Sequence, residues 1–356
     1  MRICFLVGQL GLGGAEKQLF YYLKILKNFT DDLYLISLSK NDYWESIIRD
    51  LNIDIYHLDK KNKLIRIINL IKIIKQRPID IIQSQHFYLN LYSYIISKLL
   101  NIISIGAARN DVYSEIKDVG RLGLLSLRKP NFILVNSQNA FENAKKCGKN
   151  EKELYYLPNV IDTKYYSFSE KSLSEKINII SIGTLWKPKR IDKFVNLSKK
   201  FLDQNISNIF FHIYGEGELR ADLENYAQIQ GVLNKNLFFH GAILDSRDAY
   251  KKTDILVLTS DHEGTPNVIL EAMALGLAII STKVGDIPDI VTNEINGLLV
   301  ENEDDLFYSL MYLIEHPNLI IKYGIENRTK IEEEYSFASL EKKLLNFYRI
   351  VGFTNL

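Results

Sequence analysis

Two cysteines, Cys4 and Cys147, are all that 356 residues contain, and they stand far apart. That scarcity excludes a disulfide framework and a cysteine metal site, and it fits a reducing compartment. A one-sided charge is also missing. Lys and Arg total 44 against 43 Asp and Glu, so nothing overall points to nucleic acid. Long apolar runs are absent too, since no stretch approaches the ~20 apolar residues that span a bilayer. The opening "MRICFLVGQLGLGGAEKQ" reaches glycines and Glu16 too soon for a secretory signal. These absences together predict a cytoplasmic protein.

What is present is a chain long enough for two domains, with an apolar fraction of 47% to build their cores. The balanced charge hides an asymmetry. Residues 1–165 carry 24 basic against 16 acidic side chains, and the remainder carries 20 against 27. A basic half suggests a face toward something anionic.

Short apolar runs alternate with helical patterns in both halves, which predicts parallel sheets covered on both faces. "RICFLVG", "DLYLISL", "DIYHL", "DIIQSQ", "IISIGAA" and "FILVNS" form the first series of strands, and "INIISIGTL", "NIFFHIYG", "NLFFHGA", "DILVLTS", "LAIIST" and "GLLV" the second. The fold class is therefore α/β, with two Rossmann-like doubly wound domains. The expected division is 1–168, then 169–335, with the polar stretch "DTKYYSFSEKSLSEK" at the join. Ligands of open α/β sheets bind beyond the carboxyl ends of the strands, so a central cleft between the two is the expected site.

The stretch "SDHEGTPNVILEAMALG" places Glu263 in a loop after a strand and Glu271 inside a helix that Gly276 ends. The N–H groups of Asn267 and Val268 would open that helix, where they and the helix dipole attract phosphate. Glu271, one turn on, suits paired ribose hydroxyls, and Glu263 suits the hydroxyls of a second sugar. The plainer alternative is a surface glutamate and a capping one.

With "GDIPDIV" and "NGLLV" after it, this stretch resembles the donor-binding region of retaining GT-B glycosyltransferases of family 4. Their hallmark is a glutamate pair with this spacing. The resemblance covers essentially the whole chain, and it implies a nucleotide-sugar donor, retention of configuration, and neither a dedicated metal ion nor another cofactor. It also implies a C-terminal helix, 336–356, that returns to the first domain. "FASLEKKLLNFYRIVGF" has the helical spacing for this, with Phe337, Leu340, Leu344 and Phe347 on one stripe.

Further motifs fall in the family's order. In "GLGGAEKQ", Gly13 and Gly14 match the loop that faces the donor diphosphate and the acceptor. In "IGTLWKPKRID", Lys189 matches the lysine that neutralises the leaving diphosphate, though a solvated loop lysine is the plainer alternative. The family's usual arginine is replaced by Thr184, so Lys187 or Arg190 is expected to supply the second positive charge, unless the donor is held differently. In "IIQSQHFYLN", Gln83 and Gln85 occupy the places of two family histidines, and His86 follows. A one-residue shift at a strand end reverses a side chain's direction, so either His86 or Gln85 is expected at the sugar. A structural role for His86 stands beside that. Gly215 and Glu216 match the nucleotide-side loop, Gly264 belongs to the glutamate loop, and Arg109 is a candidate acceptor contact with Gln85.

The resemblance implies transfer of a hexosyl or N-acetylhexosaminyl group to a glycan or lipid-linked acceptor, in bacterial surface polysaccharide or glycoconjugate synthesis. The expected catalytic set is Glu263, Lys189 and His86. A sugar-nucleotide epimerase and a degenerate donor-binding protein are the rival readings. "KKNKLIRIINLIKIIKQR" is either an ordinary sheet-covering helix or a contact with an anionic membrane, through Lys72, Lys75 and Arg77 beside Ile73 and Ile74.

Overall fold

The computed structural model describes residues 1–58, 63–169 and 174–353. It divides into two compact units, Met1–Asn159 with the chain from Leu340 onward, and Val160–Ser339.

The first unit is built on seven parallel strands, β1 (Arg2–Val7), β2 (Asp32–Ser37), β3 (Asp54–His57), β4 (Ile81–Ser84), β5 (Ile103–Ala108), β6 (Phe132–Val135) and β7 (Leu154–Tyr156). Their order is β3-β2-β1-β4-β5-β6-β7. Ile3 to Val7 are entirely buried, as expected for a strand covered on both faces. The order reverses between β1 and β4, and that reversal opens a crevice at their carboxyl ends.

The second unit repeats the plan with six strands, β8 (Ile177–Ile182), β9 (Ile209–Tyr214), β10 (Leu237–Phe239), β11 (Ile255–Leu258), β12 (Ala278–Thr282) and β13 (Leu298–Val300). The order β10-β9-β8-β11-β12-β13 reverses between β8 and β11. Successive side chains serve opposite faces. Ile177 and Ile179 pack with Phe194 and Phe211 in one core, while Ile180 and Ile182 pack with Tyr250 and Met273 in the other.

The helix Phe337–Val351 buries Leu340, Leu344, Phe347 and Tyr348 completely. From Leu340 it belongs to the first unit. Phe347 packs edge-on to Phe132 and against Tyr155, and the Tyr348 hydroxyl donates to Gln83 Oε1 at 2.7 Å.

Three features depart from the sequence reading. The division falls at Asn159, upstream of 168, because Ile161 and Tyr166 already pack in the second unit's core and the Ile161 N–H donates to the Tyr335 carbonyl. Of the join, residues 170–173 lie outside the described residues. Strand β7 and the helices Glu303–Glu315 and Pro317–Glu334 were not anticipated. The basic helix, described over Lys63–Gln76, covers the first sheet, burying Leu70 and Ile74. Its expected membrane face is corrected at two residues. Ile74 is core, and Arg77 is ion-paired with Asp32 and Asp54 and lies over the Tyr34 ring. Lys60 falls outside the described residues. No helix among those described is long and apolar enough to cross a membrane.

Candidate functional site

The reversal in the second sheet brings the ends of β8 and β11 side by side, and the predicted lysine and glutamate meet there. After β8 the chain turns through a single 3-10 turn, Lys187–Lys189. After β11 it enters the loop that carries Glu263. Lys189 Nζ donates to Glu263 Oε1 at 2.6 Å, and Ser260 Oγ donates to the same oxygen at 2.6 Å. Short contacts of this kind are charge-assisted hydrogen bonds. The two side chains are 18% and 10% exposed, so a ligand can still reach the pair. Lys189 makes no other side-chain hydrogen bond among the described residues, and an ammonium has three donors.

The backbone beneath the pair is over-determined. Arg190 sits at φ 48°, a left-handed conformation that costs a non-glycine residue roughly 1–2 kcal/mol. Thr259 Oγ1 fixes it by donating to the carbonyls of Lys189 and Arg190, at 3.0 and 2.9 Å. Gly215, at φ 147°, lies so close that a Cβ there would stand 1.9 Å from the Gly183 carbonyl oxygen. That contact is why the Gly215–Gly217 loop needs glycine. Glu216 is ion-paired with Arg220.

The suggested second cation is not free. The Arg190 guanidinium is held by Asp192 at 2.9 Å and by Asp261 at 3.2 Å. Thr184 and Lys187 are exposed on the turn.

The helix Asn267–Ala274 has no acidic residue in its first turn, so its N-terminal field is not cancelled locally. Glu271 is 8% exposed and accepts from Ser246 Oγ at 2.9 Å; that hydroxyl also lies 3.4 Å from the Tyr166 hydroxyl. Burial, then the Glu271 charge, push the Tyr166 and Tyr250 phenols above the usual tyrosine range. Both stay protonated. The Tyr250 hydroxyl donates to the Val268 carbonyl at 3.3 Å. Gly264 accepts from the Asp286 N–H at 3.2 Å, tying the glutamate loop to the segment after β12.

In the first unit the reversal lies between β1 and β4, and His86 sits there. Its Nδ1 accepts from the Gly8 N–H at 3.2 Å, so the ring proton of the neutral form is on Nε2, which faces Glu16 Oε1 at 3.3 Å. Both nitrogens are thus engaged within the unit. Gln85 is fully buried; its Nε2 donates to the Ala15 carbonyl at 2.9 Å, and its Oε1 faces Arg109 Nη2 at 3.4 Å. Gly13 and Gly14 are exposed, and a Cβ on Gly13 would stand 2.2 Å from Glu16 Oε2.

The geometry thus gathers Lys189 and Glu263 in one contact, and His86 beside Glu16 in another. Residues 176–316 match the family model described as glycosyl transferases group 1. Over that stretch, less than half of its length, the chain is similar to group 1 glycosyl transferases. Among relatives of the chain is the Escherichia coli UDP-Gal:alpha-D-GlcNAc-diphosphoundecaprenol alpha-1,3-galactosyltransferase. It is 29% identical over 216 residues, which are 55% of this chain and 56% of that protein. The poly(ribitol-phosphate) alpha-N-acetylglucosaminyltransferase of Staphylococcus aureus is 26% identical over 49% of this chain and 36% of its own. The chain thus spans about half the length of these relatives, or less. Its fold matches the crystal structure of Anabaena HepE in complex with UDP, with TM-score 0.85 and 16% identity over 98% of this chain and all of that one. TarM matches with TM-score 0.82 and 14% identity, over 98% and 99% of the two chains. The chain has the GT-B fold.

Sequence reasoning missed Ser260, Ser246, Tyr166 and Glu16. Ser260 and Glu16 lie inside motifs that were read. Ser246 reaches Glu271 from a segment with no motif of its own, and Tyr166 reaches it from the stretch read only as the join between the domains.

Proposed function

We propose that this protein transfers a sugar, with retention of configuration, from a nucleoside-diphosphate sugar to a glycan or lipid-linked acceptor in bacterial polysaccharide or glycoconjugate synthesis. The Lys189–Glu263 contact at the β8/β11 reversal is the observation that carries this reading. A leaving diphosphate would take the free donors of Lys189 and the N–H groups that open the helix at Asn267. Glu263 would meet the transferred sugar, and Glu271 the ribose. In this reading the leaving diphosphate itself assists the incoming hydroxyl, and the protein positions and stabilises charge without a metal ion or other cofactor. A hexosyl or N-acetylhexosaminyl group is the proposed cargo, which the relatives' names support.

Isothermal titration with nucleoside diphosphates tests the assignment. Glu271→Ala should weaken binding about 10- to 100-fold, the worth of roughly 1.5–3 kcal/mol for hydrogen bonds to a charged group. Glu263→Ala should leave that binding within about threefold and lower turnover instead. Equal losses in both variants would overturn the division of labour. Nucleoside diphosphate released only when acceptor is present separates a transferase from an epimerase or an inactive donor-binding protein.

Peripheral contact with an anionic membrane is part of the same proposal, now through one stripe of the helix Lys63–Gln76. Leu64 and Ile68 are 73% and 62% exposed, and Lys72 and Lys75 continue the stripe at helical spacing. The protein should sediment with anionic liposomes at low salt and be released as salt screens the attraction. Charge reversal at Lys72 and Lys75 that changes nothing would refute this.

A further inference from the structure

The first unit carries a half-open cavity of about 680 Å³ beyond the carboxyl ends of β4 and β5, a size typical of ligand pockets. Its walls are mostly apolar, with Ile67, Phe87, Leu91, Ile95, Val119 and Leu122 among them. One charge stands against this lining. Arg109 is 7% exposed and forms no ion pair among the described residues. Its guanidinium contacts neutral groups, the Tyr22 hydroxyl at 2.9 Å, Gln85 Oε1 at 3.4 Å and the Tyr22 ring at 5.2 Å, and its Nε has no partner among the described residues. The nearby Glu115 carboxyl accepts the Arg109 backbone N–H at 3.3 Å. Buried charges are ordinarily paired, so a cation left this way in a cavity wall calls for an anion. Two further buried oxygens of the lining, Ser126 Oγ and Glu115 Oε2, also lack partners among the described residues. Burial pushes the Glu115 carboxyl up to about 8, so at neutral pH it does not cancel Arg109 and can donate a hydrogen bond. Arg66 adds a second guanidinium to the wall, lying over the Tyr92 ring. Asp118, the other carboxylate of the lining, is exposed.

An uncharged sugar would leave Arg109 uncompensated and would set its hydroxyls against aliphatic carbon. A bare phosphate would leave the apolar walls unfilled. We propose that this cavity binds an anionic amphiphile, with its charged group on Arg109 and Ser126 and its apolar chain along Leu91, Ile95 and Leu122. The proposal rests on the glycosyltransferase reading only in making that amphiphile the acceptor.

Isothermal titration of the full chain with geranyl phosphate, kept below its aggregation limit, tests this against geraniol and inorganic phosphate. Geranyl phosphate should bind at least tenfold more tightly than geraniol, and inorganic phosphate should give no heat in the same range. Arg109→Gln should bring geranyl phosphate and geraniol to equal affinity. Ile95→Trp, which fills the cavity without touching the arginine, should weaken both at least tenfold and leave nucleoside-diphosphate binding unchanged. This second variant decides the matter if Arg109→Gln does not fold. Equal binding of geranyl phosphate and geraniol by the parent protein, or undiminished geranyl phosphate binding in Ile95→Trp, overturns the proposal. Where nucleoside-diphosphate binding persists, only the acceptor inference falls; its absence from the parent protein would instead sink the transferase reading.

Discussion

Replacing Lys189 by Met is expected to lower sugar transfer roughly 100- to 1,000-fold while leaving the melting temperature nearly unchanged. The first half follows from where charge appears. A departing diphosphate gains negative charge in the transition state, and one preorganised donor aimed at such charge is worth about 2.7–4 kcal/mol in turnover. The second half follows from exposure. Both partners of the Lys189–Glu263 pair keep some solvent contact, and in the Met variant Glu263 still accepts from Ser260 and can take up water, so the cost should stay near the roughly 0–1 kcal/mol of an exposed pair. Function and fold should therefore separate cleanly at this residue.

The pair should also couple. In Lys189→Met, Glu263 keeps only Ser260 among its observed side-chain partners, and its bare carboxylate would face the incoming diphosphate. Adding Glu263→Gln should then recover part of the lost nucleoside-diphosphate affinity, so the two effects would not add. Steady-state release of nucleoside diphosphate, titration and thermal melting on the three variants check this. A fall in turnover below tenfold, or a melting point lowered by many degrees, would remove Lys189 from its proposed role.

Much of this site was legible, for a physical reason that also explains what was not. A strand that ends in a turn and a helix start leaves local marks, since glycine, proline and a polar residue occupy fixed positions there. Glu263 and the helix at Asn267 were placed that way, whereas Lys189 was placed by its match to the family's lysine. Side-chain partnerships between distant loops leave no such mark. Ser246 reaches Glu271 across 25 residues, and nothing in its own neighbourhood distinguishes it from ordinary loop chemistry. Arg190 was offered as a second cation, although Asp192 two residues on was a visible competitor, and the structure pairs the two.

The fold divides the same way. Long apolar strands such as β1 and β8 announce themselves, whereas the three residues of β7 at the sheet edge are too few for any period. The helix Glu303–Glu315 did carry a signal. Asn302 caps it by accepting from the N–H groups of Asp304 and Asp305, and three acidic residues fill its first turn. His86 shows the limit of pattern arguments. It lies past the end of β4, where strand alternation no longer dictates direction, and its ring turns to the Gly8 N–H and Glu16.

Ending the chain after Tyr335 is expected to leave no soluble, folded first unit. The segment removed carries Leu340, Leu344, Phe347, Tyr348 and Val351, four of them fully buried and the last 8% exposed. Burying each such side chain is worth about 1.5–3 kcal/mol, so the loss is on the order of 10 kcal/mol, against a total stability of roughly 5–15 kcal/mol for a native domain. The loss is polar as well. Gln83 is fully buried beside β1 and receives the Tyr348 hydroxyl, while its Nε2 has no partner among the described residues. Without the tyrosine its amide oxygen would also lose that bond, at a cost of about 1–3 kcal/mol. Graded substitutions separate the two contributions. Tyr348→Phe should cost only the hydrogen-bond part, whereas Phe347→Ala, which empties the space between Phe132 and Tyr155, should cost about 3–5 kcal/mol. Chemical denaturation of both variants reads these differences directly, and the truncated chain is judged by its soluble yield. A truncated protein that stays soluble and melts like the full chain would show that the helix contributes little to the first unit, contrary to the burial of Leu340, Leu344, Phe347 and Tyr348.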